Sequence, residues 1–308
     1  MAVADIAPRV QSAPAHRSVR DIADAWQPRK GIRWGLIARH AVLIFFCAIV
    51  ILPLLWVFML SLKSLPDGAQ RYIWPRNFIA PLWDHYDWVI DKRPQVVTNF
   101  KNSVLVTTLT VVASTLTAVF AGYALVHLRT PFKRIIIGIL VASMFFPPRV
   151  TALIGIYNIQ DDLGFINKTW TLMFPYTALT VALSIFIMRG VFEQVPKEIV
   201  DSSRVDGASS FRTLVGIMFP LVRNGIVVVI IVNFVAAWGE YLLALTLMND
   251  ADQRTLPVFI AGNSGGNGQL LWPRMAALYI IAITPGLIFF GIAQRWYMKG
   301  LQEGALKA

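Results

Sequence analysis

Two charged residues, Arg149 and Glu240, lie inside long apolar stretches of the sequence. A charge in a membrane-spanning helix costs about 2.5 to 3.5 kcal/mol, so such residues usually face a cavity or an opposite charge. At 1.5 Å per residue, both lie about 21 to 22 Å above the cytoplasmic starts of their predicted helices. Pro147 and Pro148 should break the helix just before Arg149. We therefore predict that Arg149 and Glu240 line a pathway or gate, where the two charges can pair.

Polar residues also form a stripe on the helix that contains Glu240. Asn233, Glu240 and Tyr241 are spaced i, i+7 and i+8, which places them on one helical face. The preceding apolar stretch carries Tyr176, Thr180 and Ser184 at intervals of four. Such stripes face either a pathway or a partner helix, and ordinary interhelical hydrogen bonding is an equal alternative for Thr180 and Ser184.

Three aromatic residues in these two stretches are candidates for contact with a polyhydroxylated ligand, namely Tyr176, Trp238 and Tyr241. Their rings offer flat apolar faces to CH groups, and their polar atoms can bond to hydroxyl groups. Aromatic residues near the ends of membrane spans more often serve as interfacial anchors, so this alternative stays open.

The sequence shows no arrangement typical of an enzyme or a metal site. Its single cysteine, Cys47, can form no internal disulfide, and His16, His40, His85 and His127 lack metal-ligand spacing. It contains neither a G-x-x-x-x-G-K-[ST] loop nor a G-x-S-x-G motif. We therefore predict a chain without catalytic residues or a metal site, which must obtain any nucleotide energy from another subunit.

The composition indicates a membrane protein. The chain has 308 residues, of which 56% are hydrophobic and 15% charged, against about 25% charged in soluble domains. Six apolar segments are long enough to cross a bilayer as helices, and none shows the alternation of a β-barrel strand. We predict an all-α polytopic membrane protein with spans at residues 41–62, 104–128, 135–157, 170–188, 225–248 and 275–293.

The positive charges predict the orientation of these spans. With the N-terminus inside, 18 Lys and Arg residues fall on the cytoplasmic side and 9 on the opposite side. The positive-inside rule therefore places both termini in the cytoplasm. It also explains the net charge of +11 without nucleic acid. Residues 1–35 are polar and lack a secretory signal, so we expect a disordered cytoplasmic extension before a membrane domain at 36–298 and a tail at 299–308.

A polar segment at residues 192–222 is too long for a simple loop and too polar to span. Pro196 suits the first turn of a helix, which should stop at Gly207, where a left-handed conformation is easy for glycine. Ser209 or Ser210 can cap a second helix, which should end before Pro220. We predict a bent pair of short helices; an interfacial helix lying on lipid headgroups is the alternative.

The residues of this bend resemble a known motif. Asp201-Ser202-Ser203-Arg204-Val205-Asp206-Gly207, nine further residues, and Ile217-Met218-Phe219-Pro220 are similar to the EAA loop of ABC importer permeases. Asp201 stands for the family's glutamate, Ser202 and Ser203 for its two alanines, and Phe219 for its leucine. The segments Trp238-Gly239-Glu240-Tyr241, Thr255-Leu256-Pro257 and 294–307 resemble the maltose-type carbohydrate permeases.

This resemblance implies the type I ABC importer permease fold and a bacterial inner-membrane location. It implies that the bend is a coupling helix on a dimer of cytoplasmic ATPase subunits, which bind ATP and Mg. The coupling residues would be Asp201, Ser202, Ser203, Arg204, Asp206, Gly207, Ile217 and Pro220, with a second contact from the tail at 299–308. Other implied partners are a second homologous permease subunit and an outer solute-binding protein, docked on residues 64–100 and 261–268.

The function expected from the resemblance is carbohydrate import by alternating access, and the sequence does not identify the sugar or polyol. An ion- or proton-coupled secondary transporter is the alternative. That class usually shows internal repeats of broken helices and more intramembrane charges than Arg149 and Glu240.

Overall fold

The computed structural model describes residues 34–66, 74, 76, 78, 82–145, 152–263 and 271–305, and side chains as far as Arg295. Of the predicted disordered extension at 1–35, residues 1–33 lie outside the described residues, and Trp34 and Gly35 belong to the first helix. The chain divides into two units, Met1–Pro53 and Leu54–Ala308.

The described secondary structure is helical. The α-helices are α1 (Trp34–Ser61), α2 (Asp84–Lys92), α3 (Pro94–His127), α4 (Lys133–Phe145), α5 (Leu153–Asp162), α6 (Met173–Glu193), α7 (Lys197–Val205), α8 (Ser210–Thr213), α9 (Phe219–Trp238), α10 (Leu242–Leu247), α11 (Leu256–Asn263) and α12 (Trp272–Ala305). Turns of 3₁₀ helix precede α6 at Thr169–Leu172 and α11 at Ala251–Gln253, and a π-helical turn at Leu214–Met218 joins α8 to α9.

Five described helices are long and apolar enough to cross a membrane: Gly35–Ser61, Pro94–His127, Thr169–Glu193, Ser210–Trp238 and Trp272–Arg295. They correspond to five of the six predicted spans, and most are longer than predicted. The predicted span at 135–157 is represented by α4 and α5, which flank residues outside the described part. The all-α polytopic class is thus confirmed, whereas the count of six is approximate.

In the first unit, the described residues 34–53 belong to α1. Their mean composition is strongly apolar, and the described side chains are exposed apart from half-buried Ala48. An apolar helix with exposed side chains on every face is suited to a hydrocarbon environment.

In the second unit, α3, α6 and α9 pack on one another around a hydrophobic core. Glycines permit the close approach of these helices. A Cβ atom at Gly122 of α3 would lie 2.9 Å from the Cβ of Met188, and one at Gly225 of α9 would lie 2.6 Å from Val191. Both partners belong to α6, so α6 fits between two glycine notches.

Polar side chains on these three helices bond to one another. Ser114 and Thr180 join α3 to α6 at 2.8 Å, and Ser184 donates to Asn233 of α9 at 2.8 Å. The Asn233 amide donates weakly to Thr115 at 3.5 Å. The stripe predicted on α6 therefore takes part in interhelical hydrogen bonding in its Thr180 and Ser184 positions.

The prediction that Pro220 ends the second short helix is wrong. A continuous helix runs from Ser210 to Trp238, and Pro220 lies in the first turn of α9. Proline offers no N–H and would clash in a regular α-helical turn. The π-helical turn solves this because the Phe219 N–H bonds to Leu214 O, five residues back.

The predicted span at 225–248 is also not one helix. α9 ends at Trp238, and the short helix α10 starts at Leu242 after three residues without helical structure. A single glycine, Gly239, gave too weak a signal for a break. The break matters for the site because it contains Glu240.

Candidate functional site

The segment that we call the elbow (residues 196–213) lies between α6 and α9 and consists of the short helices α7 and α8 joined by a tight turn. α7 ends in two backbone hydrogen bonds, from Gly207 N to Arg204 O and from Ala208 N to Ser203 O. These two bonds define a Schellman end, which needs a left-handed residue, and Gly207 has φ of +79°. The prediction that α7 stops at Gly207 is confirmed.

The second arm of the elbow begins at Ser209. Its backbone is extended and its hydroxyl accepts a hydrogen bond from Arg212 N at 3.3 Å. This satisfies one of the free N–H groups at the start of α8. The structure therefore selects Ser209 over Ser210 as the cap.

A buried pair of hydroxyl groups holds the two arms together. Ser203 of α7 is buried, donates to Val200 O at 2.7 Å, and lies 3.0 Å from the Thr213 hydroxyl of α8. Val200 belongs to the same hydrophobic core as α3, α6 and α9. Ser203 thus lies inside the elbow, at a position where the resembling motif has a small alanine, and its hydroxyl has a bonding partner there.

This pair predicts a non-additive stability change. Ser203→Ala should lower the free energy of unfolding by about 1 kcal/mol because it strands the buried Thr213 hydroxyl. Ser203→Ala combined with Thr213→Val should cost no more than the single change, since both polar groups are then removed. Thermal unfolding of the purified chain in detergent measures this. Strictly additive losses would show that the two hydroxyls do not interact.

The outer face of the elbow, which points away from the core, is polar except for Val205. Asp201, Ser202 and Asp206 are exposed, and the Ser202 hydroxyl donates to Glu198 O within α7. Val205 is 88% exposed, whereas Phe211, although 66% exposed, stacks on Phe120 of α3 with 6.4 Å between the ring centroids. Val205 lies between the charged residues Arg204 and Asp206, and this apolar residue was the signal that the sequence offered for it.

Arg204 belongs to α7, and its side chain reaches the end of α3. Its guanidinium donates to Asp201 at 3.1 Å and to the backbone oxygen of His127, the last residue of α3, at 2.8 Å. The last carbonyls of a helix lack intrahelical partners, and arginine commonly supplies one.

The two distal motif residues lie where α8 becomes α9. Ile217 is half-buried in the π-helical turn, and Pro220 is exposed at the start of α9. These two residues therefore lie where the elbow continues into the membrane-spanning helix α9.

A cavity of about 800 Å³ lies beside the break between α9 and α10. Its mostly apolar walls come from α9, α11, α12 and the break itself, and include Phe234, Trp238, Tyr241, Ile260, Tyr279 and Phe290. Trp238 and Tyr241 are thus brought together, but the Trp238 N–H already donates to Ala282 O at 3.1 Å. Tyr176 is not among the lining residues; it is 2% exposed and packs between helices.

Glu240 is buried and serves as a cap for α10. Its two carboxylate oxygens accept hydrogen bonds from Leu243 N at 3.1 Å and Ala244 N at 3.2 Å. These are free N–H groups of the first turn of α10. Arg149, its predicted partner, lies outside the described residues, so their pairing stays a prediction. Asn233 is fully buried, and its side chain accepts the interhelical hydrogen bond from Ser184.

The predicted docking segments for an outer protein are partly described. Trp74 and Trp83 are exposed, whereas Trp88 of α2 stacks on the Arg274 guanidinium of α12 at 3.6 Å. That cation–π contact fixes α2 on α12. Most of the glycine-rich loop, at 264–270, lies outside the described residues, and so do the side chains of the tail.

A family model described as "Binding-protein-dependent transport system inner membrane component" matches residues 113–302. The match covers more than half of the chain and includes the elbow, the break at Glu240 and most of α12. The chain therefore belongs to this family of multi-pass inner-membrane permeases, which are non-catalytic subunits. The family does not favour the alternative of an ion-coupled secondary transporter.

Three relatives are similar over most of their length. The trehalose/maltose permease MalG of Thermococcus litoralis is 28% identical, covering 86% of this chain and 94% of the relative. The sulfoquinovosyl glycerol permease SmoH of Agrobacterium fabrum is 30% identical, covering 83% and 88%. The trehalose permease SugB of Mycobacterium tuberculosis is 30% identical, covering 83% and 92%.

The fold also matches a solved structure. A chain of a bacterial ABC transporter that imports the acidic polysaccharide alginate aligns with a TM-score of 0.74 at 20% identity, covering 88% of this chain and 100% of that one. The ABC importer permease fold predicted from the sequence is confirmed.

Proposed function

We propose that this chain is the membrane-spanning subunit of an ATP-driven importer that carries a carbohydrate by alternating access. The elbow docks on a separate ATPase subunit, which supplies ATP, Mg and the hydrolytic chemistry. A second, homologous permease subunit completes the pathway, and an outer solute-binding protein delivers the cargo. Both termini lie in the cytoplasm.

The observation that carries this proposal is the construction of the elbow. Its outer face exposes Val205 among polar side chains, while its inner face shares a hydrophobic core with α3, α6 and α9. A partner that pushes on the outer face therefore moves membrane-spanning helices, because packed cores shift as rigid bodies.

Carbohydrate is the cargo class that the relatives support. Their names specify trehalose, maltose and sulfoquinovosyl glycerol. These solutes share many hydroxyl groups and differ in size and charge, so their common feature is the polyhydroxylated sugar.

The proposal is tested by expressing the full chain together with an ATPase subunit, a second permease subunit and a solute-binding protein from the same genome. We expect the four to purify as one complex and, in proteoliposomes, to take up a sugar from a panel only with ATP inside. Omitting the solute-binding protein should abolish the uptake.

The chemical class of the cargo has its own control. The panel should include disaccharides, a trisaccharide, a polyol and an amino acid at equal concentration. Uptake of the amino acid alone would overturn the carbohydrate assignment, and uptake without the ATPase would overturn the coupling.

A further inference from the structure

We propose that Arg204 is a positioning residue that ties the coupling helix α7 to the cytoplasmic end of α3, rather than a contact with the ATPase. This inference rests on the proposed function of the elbow. It adds a second route by which motion of α7 reaches the membrane, besides the covalent connection through α8 to α9.

The Arg204 side chain is 49% exposed, and both terminal nitrogens of its guanidinium are engaged within the chain. One nitrogen donates to His127 O at 2.8 Å, and the other donates to Asp201 at 3.1 Å. His127 is 77 residues before Arg204 in the chain, so this bond joins elements that the sequence keeps far apart. Asp201 is on the same helix, one turn earlier, and orients the guanidinium toward α3.

The acceptor is well suited to a charged donor. His127 closes α3, and its carbonyl is one of those left without an intrahelical partner. The negative end of the helix dipole lies there, which favours a cation. The His127 ring packs near Tyr123 and Phe192, at centroid distances of 5.3 and 6.1 Å, so the acceptor is held in place.

This arrangement determines which helices move when α7 is displaced. α9 moves with the elbow because α8 continues into it through the π-helical turn. Without Arg204, the core contacts between α7 and α3 are apolar, and apolar contacts let α7 slide along the end of α3 more readily than a directed hydrogen bond does. With Arg204, a displacement of α7 reaches α3 directly at its cytoplasmic end, as well as α9 through α8.

The test compares Arg204→Met with Arg204→Lys in the full complex, in a Cys47→Ser background. Arg204→Met should leave the ATPase bound and hydrolysing ATP, and should lower solute uptake per ATP by about tenfold, the range of one charge-assisted hydrogen bond. Lysine keeps the charge and one donor, so Arg204→Lys should lose less. Arg129→Met removes an exposed arginine near the same end of α3 and should keep the ratio of the parent.

A cross-link supplies the rescue. Cysteines in place of Arg204 and Leu128, joined by a flexible bifunctional thiol reagent, should restore most of the uptake per ATP. The same pair capped by a monofunctional reagent should not. Loss of ATPase binding in Arg204→Met, uptake per ATP equal to that of the parent, or failure of the cross-link to restore uptake would each overturn the inference.

The tie can also be measured without the ATPase, which separates this inference from the proposed function. Spin labels at positions 198 and 129 report the distance between α7 and the end of α3 in the purified chain. Arg204→Met should broaden that distance distribution, and Arg204→Lys should broaden it less. An unchanged distribution would overturn the tie even if the chain proves to be a coupled importer.

Discussion

Replacing Gly207 by valine is expected to uncouple ATP hydrolysis from uptake while the complex still assembles. Gly207 has φ of +79°, and a left-handed conformation costs an L-residue about 1 to 2 kcal/mol, more if it is β-branched. The elbow should therefore relax to another geometry. We expect at least a tenfold loss of uptake at constant ATPase occupancy, measured in proteoliposomes.

The cause of this effect can be isolated because the space around Gly207 is open. A Cβ atom there would meet nothing within 4 Å, so valine acts through the backbone and not through a clash. Gly207→Asn is the matched control, since asparagine tolerates the left-handed region. Asparagine should retain most of the uptake. Equal losses in both variants, or normal uptake by the valine variant, would contradict the role of a left-handed hinge.

Replacing Glu240 by alanine is expected to fuse α9 and α10 into one helix and to stop transport. The Glu240 carboxylate accepts from Leu243 N and Ala244 N, and hydrogen bonds to charged groups are worth about 1.5 to 3 kcal/mol each. Without it, these N–H groups would seek the carbonyls four residues back, and alanine favours that continuation. Uptake should fall to about one-hundredth or less, because two such lost bonds together amount to at least about 3 kcal/mol.

The shape change has a direct readout. Val235 and Leu245 are exposed, and spin labels there would lie about 15 Å apart along the axis of a continuous helix. Glu240→Ala should shift the label distance toward that value, and Glu240→Gln should shift it less because it keeps one acceptor. Glu193→Ala removes a surface carboxylate paired with Arg189 and should change neither distance nor uptake much. A Glu240→Ala variant with the parent's label distance would refute the capping role.

The elbow was the part of the site most readable from sequence. Glycine after a polar helix and serine before the next one are local signals, and the Schellman end at Gly207 and the cap at Ser209 confirm both. The prediction at Pro220 was wrong because a π-helical turn accommodates the proline without ending the helix. The bond of that turn, from Phe219 N to Leu214 O, has no sequence signature.

The contacts that hold the elbow could not be predicted. Arg204 bonds to a backbone oxygen at His127, and a backbone acceptor carries no information in the residue type. Ser203 and Thr213 meet only because the bend folds α7 onto α8. Long-range pairs of this kind follow from tertiary packing, which local patterns do not specify.

The membrane interior was predicted in outline. A charge at Glu240 is energetically unfavourable in a membrane span, and the sequence therefore predicted a function for it. Its bonds to the backbone of α10 could not be predicted, because the apolar pattern does not show the break between α9 and α10. Asn233 was placed on a polar stripe, and the structure shows Ser184 as its partner. The Glu240 carboxylate thus finds its hydrogen-bond partners in backbone N–H groups a few residues along the chain.

The fit of α6 between Gly122 and Gly225 has a consequence for where an opening can form. Side chains of α6 already fill both notches, so neither α3 nor α9 can slide past it without a steric collision. These three spans should consequently travel as a single block. A solute would then cross along the flank of that block, where it borders other spans, and no passage would open through its middle.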